Sequence, residues 1–155
     1  MARDTNVSMP YYIVNCVRMM LEGIRHPKVA VFGLSYKGNV DDIRESPAID
    51  VVNILMGMEN VDVALHDPHV QSGKMPIVSV EDAVKGADLI LVLTDHDEFK
   101  RMDYDKLSDL MANKLILDTR NCIDANETDV PVANLGNIYQ YKTMSMKKAR
   151  NKAII

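Results

Sequence analysis

The 155-residue chain is predicted to adopt an α/β fold, a Rossmann-like doubly wound parallel sheet preceded by an N-terminal helix, and three observations carry that prediction. Short unbroken apolar runs, clearest at residues 29–32 and 89–93, read as strands buried on both faces. Segments with helical spacing alternate with them, the pattern of βαβ units. Polar clusters follow the runs at 33–44, 94–97 and 118–121. In an open parallel sheet those ends lie on one edge, where such sheets bind ligands.

Residues 1–9 are polar and read as the end of a preceding element. From Pro10, Ile13, Val14, Cys16, Val17, Met20, Leu21 and Ile24 follow the 3.6-residue period of a helix, with Gly23 and Pro27 bracketing its end. That face is apolar enough to pack on the domain, on a second subunit or on another domain. The run from Val29 to Phe32 is a strand that breaks at Gly33 into a polar loop with Lys37, Gly38, Asp41, Asp42 and Arg44. Ser46 then serves as N-cap and Pro47 as first residue of a helix reaching Met58, with Ala48, Val51, Val52 and Leu55 on one face. A second strand runs from Val61 to Asp67-Pro68, completing a βαβ unit.

Residues 69–78 are loop, with Ile77-Val78 the one short β-like piece. Ser79 caps a helix that Gly86 stops. The run from Asp88 to Leu93 is the clearest buried strand and ends in Thr94-Asp95-His96-Asp97. A helical region is expected around 104–111 and a strand over 114–118, ending in Thr119-Arg120-Asn121. A loop over 122–130 leads to a last strand placed at 137–141, and residues 143–155 form a basic tail. No repeat or low-complexity segment is visible.

With 47% hydrophobic and 26% charged residues the composition is that of an ordinary folded domain. A net charge of −4 argues against a nucleic-acid surface. No apolar run approaches the roughly 20 residues that span a bilayer, and no secretory signal opens the chain. Cys16 and Cys122 have no metal-type spacing and read as buried thiols of a cytoplasmic protein.

A strand, a basic loop and a helix start together form a phosphate-binding arrangement. The dinucleotide fingerprint G-x-G-x-x-G is absent, since Gly33 is followed only by Gly38. Lys37 as a point charge and Arg44 as a fork are the candidate anion ligands. Asp41 and Asp42 would repel a phosphate and are expected to pair with Arg44 or with loop amides. Arg120 is a second candidate anion or sugar contact. His66 and His96 read as hydrogen-bonded structural residues. No Ser-His-Asp, paired-carboxylate or metal constellation is visible, so no residue is assigned as catalytic and none as a metal ligand. The residues by themselves reach a Rossmann-like domain that binds a phosphorylated ligand.

The stretch Gly33-Leu-Ser-Tyr-Lys-Gly-Asn-Val-Asp-Asp-Ile-Arg-Glu-Ser-Pro-Ala resembles the signature of the nucleotide-sugar 6-dehydrogenases, the UDP-glucose, GDP-mannose and UDP-N-acetylmannosamine dehydrogenase family. The family pattern there is aromatic-Lys-x-x-x-Asp-Asp-x-Arg-Glu-Ser-Pro. Ala2-Arg3-Asp-Thr-Asn6 with Pro10, Thr94-Asp-His-Asp-Glu-Phe99 and Asp118-Thr-Arg-Asn121 agree in order, so the resemblance covers the chain to about Tyr141. The Asp95-His-Asp-Glu-Phe99 and Arg44-Glu-Ser-Pro-Ala48 versions are most similar to the UDP-N-acetylmannosamine (or UDP-N-acetylglucosamine) branch.

The resemblance implies a three-part enzyme: an N-terminal NAD-binding domain, a long central helix at a dimer interface, and a C-terminal UDP-binding domain. Such enzymes oxidise the sugar C6 alcohol to a carboxylate in two NAD-dependent steps through a thiohemiacetal on a cysteine, in polysaccharide biosynthesis. This chain would hold the end of the central helix (1–26), the UDP-sugar-binding domain (27–142) and the basic tail (143–155). A homodimer through helix 10–24 is implied, with the NAD domain as missing partner. Neither Cys16 nor Cys122 matches the nucleophile motif. By the same resemblance Lys37 contacts the UDP-sugar, Tyr36 holds the aromatic position beside it, Arg120 lies near the nucleotide sugar, and Arg44 reaches the NAD diphosphate. Gly38 stands where proline is common, which should loosen the loop without removing the lysine contact. The competing readings are a stand-alone UDP-sugar-binding or regulatory module without catalysis and, more weakly, a complete small NAD enzyme.

Overall fold

The computed structural model describes residues 2–71 and 73–138, with side chains from Met9 onward. Five strands, β1 (Lys28–Phe32), β2 (Asp62–His66), β3 (Leu89–Val92), β4 (Ile116–Asp118) and β5 (Val132–Ala133), form one sheet in the order β2-β1-β3-β4-β5. Every pairing is parallel. The apolar runs show no alternation in sequence because both faces are covered, yet the period of two is plain in the packing. Val29, Val31, Leu89, Leu91, Leu117 and Ala133 face one core. Ala30, Phe32, Ile90, Val92, Ile116 and Val132 face the other.

The first core is closed by α1 (Ala2–Met20) and α2 (Pro47–Met56), through Ile13, Val14, Val17 and Met20 against Val51, Val52 and Leu55. The second is closed by α3 (Val80–Val84), α4 (Asp97–Arg101) and α5 (Tyr104–Ser108), with Phe99 stacked on Phe32 at a centroid distance of 5.2 Å. Helices on both faces of a parallel sheet make the doubly wound architecture that the alternation of elements predicted. Among the described residues no helix is long and apolar enough to cross a membrane.

Four local expectations change. Pro10 was expected to open the first helix but lies inside α1. Its missing N–H forfeits one i→i−4 hydrogen bond, and the buried face from Ile13 to Leu21 holds the helix regardless. Among the described residues the last strand is β5 at Val132–Ala133, and of the strand expected at 137–141 only Asn137 and Ile138 are described, neither of them in a strand. Asn137 instead closes a turn, its Oδ1 accepting the Asn134 amide at 2.7 Å, while residues 139–141 and the basic tail lie outside the described residues. A helix not anticipated, α4, begins directly after the Thr94–His96 cluster and buries Phe99. Cys122 is half-buried rather than buried.

Candidate functional site

Register sets the site. Phe32 pairs with His66 on one side and Val92 on the other, and Val92 pairs with Asp118. The C-terminal ends of four strands therefore stand level, and their loops share one edge. The strand order reverses between β1 and β3, so the crevice at this edge is a topological switch point.

Two glycines let the β1 and β3 loops meet there. Gly33 has φ +101, and a Cβ on it would lie 2.4 Å from the Thr94 Cβ. At Gly38 a Cβ would lie 2.6 Å from the Asp95 carbonyl oxygen and 2.7 Å from its carboxylate. Gly38, where proline is common in the family, thus lies close against the loop that follows β3. Asp95 also faces Arg120, Oδ1 to Nη2 at 3.8 Å, with both side chains partly exposed. Gly38, Asp95 and Arg120 thus link the lysine loop to the loop after β4. Asp118, buried at the end of β4, shapes that second loop by accepting the amides of Arg120 at 3.0 Å and Ile123 at 2.8 Å.

Tyr36 and Lys37 are both exposed, and Tyr36 donates its amide to the Asp42 carbonyl at 2.7 Å, folding the loop back on itself. No ion pair holds the Lys37 ammonium among the described residues. Arg44 differs. Its Nε and Nη2 fork onto Asp42 Oδ1 and Oδ2 at 3.0 and 3.1 Å, and its own amide donates to Asp42 at 2.9 Å. The Arg44 side chain and amide pull the Asp42 carboxyl down to about 2. Pairing of Asp42 with Arg44 was the sequence expectation, and it leaves the arginine exposed with a local partner.

Ser46 sits at the N-cap of α2 as expected, but its hydroxyl donates to the Leu34 carbonyl at 2.8 Å and caps nothing. With Pro47 at N1, this turn offers few free amides and does not fit a dinucleotide diphosphate. Among the described residues no His, Cys, Asp or Glu cluster could hold a metal ion. Burial pushes the Cys16 thiol up, and burial together with Asp118 pushes that of Cys122 up to about 12. Both are poor nucleophiles.

Beneath the loop lies a polar knot that the motif reading did not single out. Asp67 and His96, fully buried at the side chain, pair at 2.9 Å. Asp67 also accepts the amides of Leu34, His69 and Val70 at 2.8, 2.8 and 3.2 Å. Burial works against its charge, but His96 and the amides outweigh burial and hold the carboxyl below the usual range. The signal was available: an Asp at a strand end followed by Pro68 is well suited to collecting turn amides. His66 is a structural residue as expected, its Nδ1 at 3.0 Å from the Val78 carbonyl.

Three comparisons bear on this edge. Residues 30–125 match the model of the UDP-glucose/GDP-mannose dehydrogenase family, UDP binding domain. The chain is 44% identical over 130 residues to a UDP-N-acetyl-D-mannosamine dehydrogenase of Methanococcus vannielii, covering 81% of this chain and 30% of that protein. It is similar in structure to the UDP-N-acetyl-mannosamine dehydrogenase of Staphylococcus aureus, with TM-score 0.82 and 42% identity over 90% of this chain and 33% of the other. The UDP-D-ManNAc dehydrogenase of Pyrococcus horikoshii gives TM-score 0.77 at 34% identity, over 87% of this chain and 32% of the other. The chain spans about 30% of the length of the curated relatives it matches.

Proposed function

The chain belongs to the UDP-glucose/GDP-mannose dehydrogenase family, matching its UDP-binding domain, and from that premise we propose that it is the nucleotide-sugar-binding part of an NAD-dependent UDP-sugar 6-dehydrogenase of the UDP-N-acetylmannosamine type. The whole enzyme oxidises the C6 alcohol to the carboxylate of UDP-N-acetylmannosaminuronate in the cytoplasm, for polysaccharide biosynthesis. The observation that carries this reading is the exposed Lys37 ammonium at the switch point, free of any ion pair among the described residues. An uncommitted cation on a loop held rigidly from below suits a phosphate. Arg120, reached through Gly38 and Asp95, supplies a second cation for the nucleotide sugar, and Tyr36 an exposed ring beside it.

Arg44 is assigned to the NAD diphosphate, which would have to displace Asp42 from its fork. The glycine-poor turn supports placing NAD mainly on an N-terminal domain outside this chain, together with the catalytic cysteine. Residues 1–26 are assigned to the end of the central helix, 27–142 to the UDP-sugar domain and 143–155 to a basic tail. Met9, Tyr11 and Tyr12, exposed on α1, support a homodimer through that helix.

Titration calorimetry on this chain tests the reading. UDP or a UDP-sugar should bind with measurable heat and NAD should bind weakly or not at all; heat from NAD with none from UDP overturns the assignment.

A further inference from the structure

Side chains withdrawn from water must spend their polar atoms on one another, and His96 spends both ring nitrogens. Nε2 lies 2.9 Å from Asp67 Oδ2. On the opposite side of the ring, Nδ1 receives the Asn39 amide at 2.8 Å. A backbone N–H can only donate, so Nδ1 holds a lone pair and the ring proton is on Nε2. Its partners thus define His96 as a neutral imidazole from both sides. Ser35 Oγ is 3.3 Å from the same Nε2 but gives its proton to the Lys37 carbonyl at 2.7 Å. The nitrogen facing it is a donor and cannot take a proton from it, so this is not a nucleophile with its base.

The contacts of the ring bracket the lysine. Ser35 is held from both sides, its hydroxyl on Lys37 and its carbonyl accepting from Thr94 Oγ1 at 3.1 Å. Asn39 is held at its amide by His96 and at its Oδ1 by the Asp97 amide at 2.9 Å. Asn39 also has φ 63, a left-handed turn that an asparagine tolerates and that needs fixing from outside. Tyr36, Lys37 and Gly38 are the three residues between these anchors.

We propose that His96 is a positioning residue for the nucleotide sugar: through Nδ1 it clamps the Asn39 amide and so fixes where the backbone presents Lys37. The proposal rests on the assignment of Lys37 to the UDP-sugar. A merely structural role would reside in the Asp67 contact instead, and the two halves of the ring can be separated by substitution. His96→Gln can place an amide donor near the Nε2 position and keep Asp67 satisfied, while losing the acceptor for Asn39. His96→Asn can place an oxygen near Nδ1 and keep Asn39, while leaving Asp67 one donor short.

The clamp predicts a crossed result in the full chain. His96→Gln should weaken UDP binding by about tenfold, the scale of one buried hydrogen bond left unmade, with the smaller loss of denaturation midpoint. His96→Asn should hold UDP affinity within about twofold and lose more stability, because a buried carboxylate lacks its partner. Affinities that fall in step with stability in both variants overturn the proposal. If the wild-type chain binds no UDP, the assignment of Lys37 fails, and hydrogen exchange at the Asn39 amide decides the clamp: protection lost in His96→Gln alone sustains it, and equal protection in the two variants overturns it. A long-range proton–nitrogen spectrum of the wild-type chain needs no variant to fold. It should show a neutral ring with the proton on Nε2, and an imidazolium or an Nδ1-protonated ring overturns the proposal.

Discussion

Gly38→Ala isolates a close approach between the β1 and β3 loops that involves no positive φ. The added Cβ would meet the Asp95 carbonyl oxygen at 2.6 Å, about 0.8 Å short of the 3.4 Å where ordinary contact begins. The nearest atom is backbone, so it cannot swing aside as a side-chain tip would. Overpacking of this kind costs about 1–3 kcal/mol. Gly38 is not among the positive-φ residues, so alanine also recovers about 0.4–1 kcal/mol by restricting the unfolded chain. The net loss should be about 1–2 kcal/mol, or roughly 2–8 °C in Tm for a chain of this size. Urea denaturation measures it as a lower midpoint at unchanged slope. Gly33→Ala should cost more, because a 2.4 Å clash with Thr94 adds to a φ of +101. Gly73→Ala, with open space around it, should be neutral or slightly stabilising. A Gly38→Ala chain as stable as the wild type would refute the close approach of the two loops and the route from Gly38 through Asp95 to Arg120.

Lys37→Ala should weaken UDP binding to this chain by about tenfold or more, the loss of one charge-assisted contact, and Arg44→Ala far less; the reverse order in calorimetry would sink both assigned roles. Asp67 carries a depressed native carboxyl, so the unfolded chain binds its proton first as pH falls. Its contribution is then complete above the ordinary carboxylate range and is lost as pH drops through the lowered native value. Asp67→Asn should therefore lower the midpoint at neutral pH and flatten the acid limb of the stability profile; parallel profiles would contradict the pairing with His96. Cys122, pushed up to about 12 and half-buried, should react with a disulfide reagent at pH 8 only as fast as the chain opens, and prompt labelling of the native chain would show that its thiol is not withdrawn.

The platform of the site was legible because few local patterns are needed to specify it. A run such as Leu89–Val92 has one stable use in an α/β chain, a strand covered on both sides, and parallel pairing then places the following Thr94 beside Gly33 whatever the loops do. Lys37 and Arg120 were candidates from their place after strand ends, and both stand exposed at the shared edge, whereas Tyr36 was named through the family resemblance. The short elements were harder. A two-residue strand, Val132–Ala133, has no periodicity to detect, while Ile138 in a more β-prone stretch drew the assignment away from it. The five residues of α4 were hidden in a polar cluster whose helical character depends on Phe99 packing onto Phe32 on one face of the sheet. The Asp67–His96 pair joins residues 29 apart in sequence, and no local pattern reports a contact of that span.

The level register of Phe32, His66, Val92 and Asp118 gives the loops above it a common floor. Each loop is rooted at the same height and leaves the sheet in the same direction, so a change in one loop's length need not disturb the strand pairing beneath. Loop exchange can thus vary this edge without unsettling the sheet. Replacing the segment after Asp118, which is tied down by that residue's own carboxylate, would re-aim Arg120 and leave the lysine loop where its own anchors hold it. The segment after Phe32 lacks that independence, because the knot binds it to two neighbours, and a graft there would have to bring residues 67 and 96 with it.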